Sequence, residues 1–140
     1  VKNILVAVDG SDCSKKAVKL AIEIASKMGA RITAVNVVVP PYIPPEPYAT
    51  GSAGLELAIR QYGEDVAKEA AKEALQAGLE ATWRIETGAP ADVLNQTASA
   101  TKADMIVVGS RGHGALRRAL LGSVSSRLAH LSEVPLLIVH

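Results

Sequence analysis

The stretch MIVVGSRGHGALRRALLGSVS, residues Met105 to Ser125, opens as a strand and closes as the start of a helix. Met105-Ile106-Val107-Val108 is a short apolar run rich in β-branched residues, the pattern of a strand covered on both faces. Glycines at 109, 112 and 114 follow directly, and Gly122-Ser123 begins a helix expected to reach about Leu131. Leu136-Leu137-Ile138-Val139 then closes the chain as another apolar strand. Strand, glycine-rich connection, helix and strand make a βαβ unit, and the same grammar extends towards the N-terminus.

Ile4-Leu5-Val6-Ala7-Val8 is a buried strand ended by Asp9-Gly10-Ser11. Ser11 or Asp12 can cap a helix to about Met28, with Val18, Leu20, Ala21, Ile24, Ala25 and Met28 at helical spacing and Gly29 as its stop. Ile32 to Val39 reads as the second strand. Prolines at 40, 41, 44, 45 and 47 impose an extended loop. A long helix is expected from about Ala53 to Gln76, with Leu55, Ile59, Tyr62, Val66 and Ala70 as its apolar stripe and Gly78 at its end. Residues 81–86 alternate, Trp83 and Ile85 against Thr82, Arg84 and Glu86, which marks an edge strand with one wet face. Thr87-Gly88-Ala89-Pro90 starts a further helix whose inner side is Val93, Leu94, Thr97 and Ala98.

The order β-α-β-α-β-α-β-α-β predicts a single α/β domain over residues 1–140, a Rossmann-like open parallel five-stranded sheet with helices on both faces. The expected strand order is 3-2-1-4-5. Its winding reverses between strands 1 and 4, and ligands in open sheets sit outside the carboxyl ends of the strands at such a reversal. Asp9-Gly10-Ser11 and Gly109-Ser110-Arg111-Gly112 would meet there.

Composition narrows the function. Fifteen basic and fourteen acidic residues leave a net charge of +1, without the basic excess of a nucleic-acid or membrane-surface binder. One Trp, three Tyr and no Phe provide few stacking platforms for single-stranded nucleic acid. The single Cys13 precludes an intramolecular disulfide and fits a reducing compartment; near the first turn of a helix it reads as structural or incidental rather than reactive. No apolar run reaches the ~20 residues of a membrane span. The opening VKNILVAVDG is a strand pattern and not a signal peptide, so a cytoplasmic location is expected.

The glycine-rich stretch holds the parts of a phosphate cradle. Gly109, Gly112 and Gly114 let backbone N–H groups approach an anion, and Gly122-Ser123 lies at a helix N-terminus whose unpaired N–H groups and dipole favour one. Ser123 and Ser125 add hydroxyls; Arg111, His113, Arg117 and Arg118 add positive or ionisable groups. Glycines between a strand and a helix also make plain turns, and Ser123 would serve equally as an N-cap. The loop has no lysine, which excludes the P-loop pattern, and Asp9-Gly10-Ser11-Asp12-Cys13-Ser14 lacks the glycines of the dinucleotide fingerprint.

Gly109-x-x-Gly112, nine residues, then Gly122-Ser123 resembles the G-x2-G-x9-G-S/T signature of the universal stress proteins. The likeness covers the whole chain: Ile4 to Ser11 is similar to that family's opening strand, Thr87-Gly88-Ala89-Pro90 to its third-helix start, and Val134 to Val139 to its closing strand. The resemblance implies the ATP-binding branch of the family. Carried over by position, Gly109, Ser110, Arg111, Gly112, His113 and Gly114 would wrap the ribose and phosphates. Gly122, Ser123, Val124 and Ser125 would hold the phosphates, Ala7, Val8 and Asp9 would line the adenine and ribose side, and Val37 would close over the base. Ala7 stands where some ATP-binding members have proline.

A carboxylate beside a triphosphate repels it unless a divalent cation intervenes, so Asp9 is read as a Mg2+ ligand; the alternative is that it caps the first helix or its turn. His113 has no partner acid that would make it a general base. The expected role is an ATP-binding stress-response or regulatory module. Two rivals remain: a slow ATPase or phosphotransferase, for which no base is evident, and an interaction protein whose nucleotide is structural, with loop 40–47 facing the partner. A phosphoryl-receiver domain would need an acceptor Asp where Glu86-Thr87-Gly88 stands. Leu136 to Val139, an apolar edge without protective charge, predicts a homodimer through that strand.

Overall fold

The computed structural model describes residues 1–41, 45, 52–113 and 121–140. Nine elements alternate along the chain: β1 (Asn3–Ala7), α1 (Asp12–Met28), β2 (Arg31–Val38), α2 (Ser52–Gln76), β3 (Ala81–Thr87), α3 (Pro90–Ala100), β4 (Met105–Gly109), α4 (Ser123–Leu131) and β5 (Leu136–Val139). The five strands form one parallel sheet in the order β3-β2-β1-β4-β5, as the sequence predicts. Val6 of β1 pairs with Ala34 on one side and Val107 on the other, so β1 and β4 part the two halves of the sheet.

Successive side chains of a strand point to opposite faces, and the core divides accordingly. Ile4 and Val6 pack with Ala17, Val18, Ala21 and Ala25 of α1 and with Ala67, Ala70 and Ala74 of α2. Leu5, between them, packs with Ala91, Leu94 and Ala98 of α3 and Leu128 of α4. Both helices on the first face meet the sheet through alanines, which lets them lie close to it. The large buried residues are all aliphatic, with Ile4, Leu5, Ile106 and Leu128 fully enclosed.

The helix boundaries follow from local chemistry. Ser11 caps α1 by accepting a hydrogen bond from the Ser14 N–H, and Gly29 ends it in the left-handed conformation at φ 67°. Pro90 occupies the first turn of α3. At the amino ends of the strands, Asp104 Oδ2 accepts the backbone N–H groups of Lys2 and Asn3 at 2.8 and 2.9 Å, and those two bonds hold its carboxyl below the usual aspartate range.

Two expectations about packing need correction. The apolar stripe of α2 was placed on Leu55, Ile59, Tyr62, Val66 and Ala70, but Leu55 and Tyr62 are half exposed. The reason is length: 25 helical residues span about 37 Å, whereas the eight-residue strand beneath spans about 26 Å. The first turns of α2 therefore run past the carboxyl edge of the sheet, and burial begins at Gly63 and Ala67. Met28, the last of the apolar residues at helical spacing in α1, is 50% exposed in the helix's last turn. β3 is an edge strand as expected, and Trp83 on it stays 40% exposed beneath the Lys68 ammonium, 5.0 Å from the ring centre. Of the proline-rich loop 40–47, residues 42–44, 46 and 47 lie outside the described residues. Among the described residues no helix is long and apolar enough to cross a membrane.

Candidate functional site

β1 and β4 lie side by side but lead into helices on opposite faces, α1 and α4, so their carboxyl ends diverge and leave a cleft. A cavity of about 500 Å³ occupies it. Ala7, Val8 and Asp9 come from the end of β1, Val35, Asn36, Val37 and Val39 from β2, and Pro90 and Leu94 from α3. The opposite wall is Val108, Gly109, Ser110, Arg111 and Gly112 after β4, then Leu121, Gly122, Ser123, Val124 and Ser125. One half is an aliphatic slot and the other a rim of hydroxyls and backbone, which suits a ligand with a flat apolar end and an anionic end.

The rim is held from beneath. The Ser125 hydroxyl, 1% exposed, donates to the Ser110 carbonyl at 2.8 Å, and the Ser110 N–H donates to the Val139 carbonyl at 2.7 Å. The Gly122 N–H also donates to Ser110 O, so the turn after β4 and the entry to α4 share one acceptor. Gly109 packs directly on α1: a Cβ there would stand 2.8 Å from the Cys13 carbonyl carbon, too close for any other residue without a shift. Cys13 is buried, with its sulfur 3.9 Å from the Ser110 hydroxyl.

Two helices begin at this cleft, and they begin differently. At α1 the Ser11 hydroxyl accepts the Ser14 N–H at 3.3 Å, Asp9 Oδ1 accepts the Ser11 N–H at 2.8 Å, and the Ser14 hydroxyl accepts the Asp9 N–H at 3.1 Å. At α4 the cap position is Gly122 in extended backbone, a residue with no side chain to cap the helix. The first N–H groups of an α-helix have no partner within it, so those of Ser123, Val124 and Ser125 lie at the cavity wall with the positive end of the helix dipole.

The cavity gathers Ala7, Val8, Asp9, Val37, Gly109, Ser110, Arg111, Gly112, Gly122, Ser123, Val124 and Ser125, all expected from the sequence. His113 is not among its lining residues; its Nε2 lies 2.7 Å from the Asp9 carbonyl oxygen and 3.1 Å from the Tyr62 hydroxyl. Gly114, Arg117 and Arg118 lie outside the described residues. Sequence reasoning missed Ser14, Asn36, Pro90 and Leu94 as lining residues. Asn36 carried a signal, being the polar interruption of an apolar strand; it is 7% exposed, and its Nδ2 donates to the Val8 carbonyl at 2.8 Å, bracing the floor. Asp9 makes the turn bond that the cap alternative foresaw, while its Oδ2 stands against Gly112. Among the described residues no group of three or more His, Cys, Asp or Glu side chains is placed to hold a metal ion.

Chains with this strand order and a cleft at its reversal form a class, the small doubly wound α/β domains. Within that class the family model described as the universal stress protein family matches residues 1–140, and the chain belongs to that family. A universal stress protein of Methanocaldococcus jannaschii is 34% identical over 139 residues, covering 99% of this chain and 81% of the relative. In fold, the chain is similar to a universal stress protein from Lactobacillus plantarum, with a TM-score of 0.89 at 23% identity over 99% of this chain and 97% of the other. A universal stress protein solved in complex with cAMP is 31% identical, with a TM-score of 0.74 over 99% of this chain and 97% of its own.

Proposed function

We propose that this chain is an ATP-binding regulatory module of the stress response, cytoplasmic and homodimeric. The observation that carries the reading is the uncapped N-terminus of α4 at the polar end of an otherwise aliphatic cleft. Adenine would lie in the slot formed by Ala7, Val8 and Val37, and the phosphates would meet the backbone of Gly109 to Gly112 and of Gly122 to Ser125. Arg111 supplies a cation on the same wall. The 31% identical protein solved with cAMP supports an adenine nucleotide as the ligand class.

The test is calorimetric titration of ATP into the purified protein, with and without Mg2+, after extraction to remove nucleotide that co-purified. Micromolar or tighter binding is the expected result. A protein that shows no heat and yields no nucleotide on extraction would reduce the glycines to a turn and end this reading.

Mg2+ takes one or two carboxylates together with phosphate oxygens and water, a set that Asp9 and a bound nucleotide could furnish. Its chemical contribution would be to offset the charge of the phosphates beside that carboxylate. Asp9→Asn keeps an oxygen to accept the Ser11 N–H and removes only the charge. It should weaken Mg-ATP about tenfold while leaving metal-free binding unchanged or tighter. Equal Mg2+ dependence in both proteins would remove Asp9 from that role.

The dimer rests on β5, an edge of the sheet whose four residues are all apolar and half-buried. Pairing β5 with β5 of a second copy would cover both edges at once. Ile138→Lys should yield folded monomers by sedimentation, with an unchanged circular dichroism spectrum; a folded variant that stayed fully dimeric would refute the pairing.

A further inference from the structure

A cluster just outside the cavity has no part in the function described so far. Tyr62, on the overshooting part of α2, donates its hydroxyl proton to the Asp9 carbonyl oxygen at 3.0 Å. The same oxygen lies 2.7 Å from His113 Nε2, which in turn is 3.1 Å from the Tyr62 hydroxyl. A carbonyl oxygen only accepts, so Nε2 carries the proton in this arrangement and both side chains donate to one acceptor with two lone pairs. The rings approach at 6.3 Å between centroids with a 57° tilt.

The backbone makes room for this triangle. Gly10 has φ 83°, a conformation that other residues rarely adopt, and a Cβ there would collide with the Tyr62 hydroxyl. Beside it, the Ser11 hydroxyl lies 3.5 Å from the Arg111 carbonyl, a second and weaker tie between the same two turns. Three segments far apart in sequence thus converge on one peptide group: the β1–α1 turn, the turn after β4, and α2.

We propose that Tyr62 and His113 are positioning residues, a clasp on the Asp9 carbonyl that pins the glycine-rich turn 109–113 to the β1–α1 turn and to α2 and so sets how long a nucleotide stays in the cavity. The clasp rests on the nucleotide reading for its consequence but not for its existence. Arg111 and Gly112 line the cavity immediately before His113, so releasing the histidine frees the wall they form. Tyr62 donates directly to the Asp9 carbonyl and meets the turn 109–113 at His113.

The test compares His113→Ala, His113→Gln, Tyr62→Phe and the Tyr62→Phe/His113→Ala pair. In the nucleotide-free protein, hydrogen exchange at the Arg111, Gly112 and His113 amides should quicken about tenfold in His113→Ala and return towards wild type in His113→Gln, whose amide can still donate. The dissociation rate of ATP should rise about tenfold in His113→Ala and about threefold in Tyr62→Phe. The double variant should match His113→Ala within about twofold, because Tyr62 meets that turn at the imidazole; a multiplicative double would mean that Tyr62 acts independently, through its own bond to the Asp9 carbonyl. Unchanged amide exchange in His113→Ala would overturn the clasp, whether or not nucleotide binds. Quickened exchange with an unaltered ATP dissociation rate would overturn its effect on residence. Absence of ATP binding in the wild type refutes the nucleotide reading instead and leaves the exchange result to decide the clasp.

Discussion

The N-termini of α1 and α4 flank the same cleft, yet only at α1 does the cap residue supply a side chain. α1 satisfies the Ser14 N–H with the Ser11 hydroxyl and braces the turn before it with Asp9 and Ser14. α4 begins at a glycine that has nothing to offer. A helix start deprived of a side-chain acceptor is less stable by itself, and that deficit is what an anion can fill. On the proposed reading the two ends have distinct duties: α1 would be a fixed wall, and α4 the wall that a ligand completes.

The comparison can be broken by making the two ends alike. Gly122→Asp would give α4 an internal cap and place a negative charge where the phosphates are proposed to sit. ATP affinity should fall about 100-fold by calorimetry, with a modest loss of thermal stability, since a Cβ at position 122 would stand 3.2 Å from the Ser110 carbonyl oxygen. An affinity within a factor of about three of wild type would show that α4 is not the anion end.

The reverse experiment is milder. Ser11→Ala strips the cap from α1 and should cost about 1 kcal/mol of stability by denaturant titration, while ATP affinity stays within about threefold. A large loss of affinity with little loss of stability would move the anion site to α1.

The smallest effect concerns Asp104, which performs the Asp9 type of amide capture at the far end of the sheet, away from the cleft. Its folded carboxyl titrates below its unfolded value, so its contribution is present above the ordinary aspartate range and is lost as pH falls through the lowered value. Asp104→Asn should therefore be slightly less stable than wild type at neutral pH and match it in strong acid, with ATP binding untouched at neutral pH.

Much of this was legible in the residues. Gly29 and Pro90 mark helix ends because their backbone preferences are local, and the strand order followed from the alternation of elements. Gly109, Gly112 and Gly122-Ser123 pointed to the cleft because they fall on the strand-to-helix junction at the reversal of the sheet. What escaped was set by dimensions and by contacts across the fold. Periodicity showed that α2 has an apolar stripe, but the length of the sheet beneath decides which part of that stripe is covered, and so Leu55 and Tyr62 emerged exposed. His113 looked like a phosphate contact from its place in the loop. The carbonyl it meets belongs to a residue 104 positions away, a proximity that spacing along the chain does not encode.

Trp83, the single tryptophan of the chain, lies on the edge strand β3, under Lys68 and away from the residues that line the cleft. Its emission will report on the sheet margin and on global unfolding, and a nucleotide titration followed by that signal can stay flat in a protein that binds tightly. Tyr62 is the better-placed native chromophore, and a tryptophan introduced there would read the cleft at the expense of the hydroxyl that ties α2 to it.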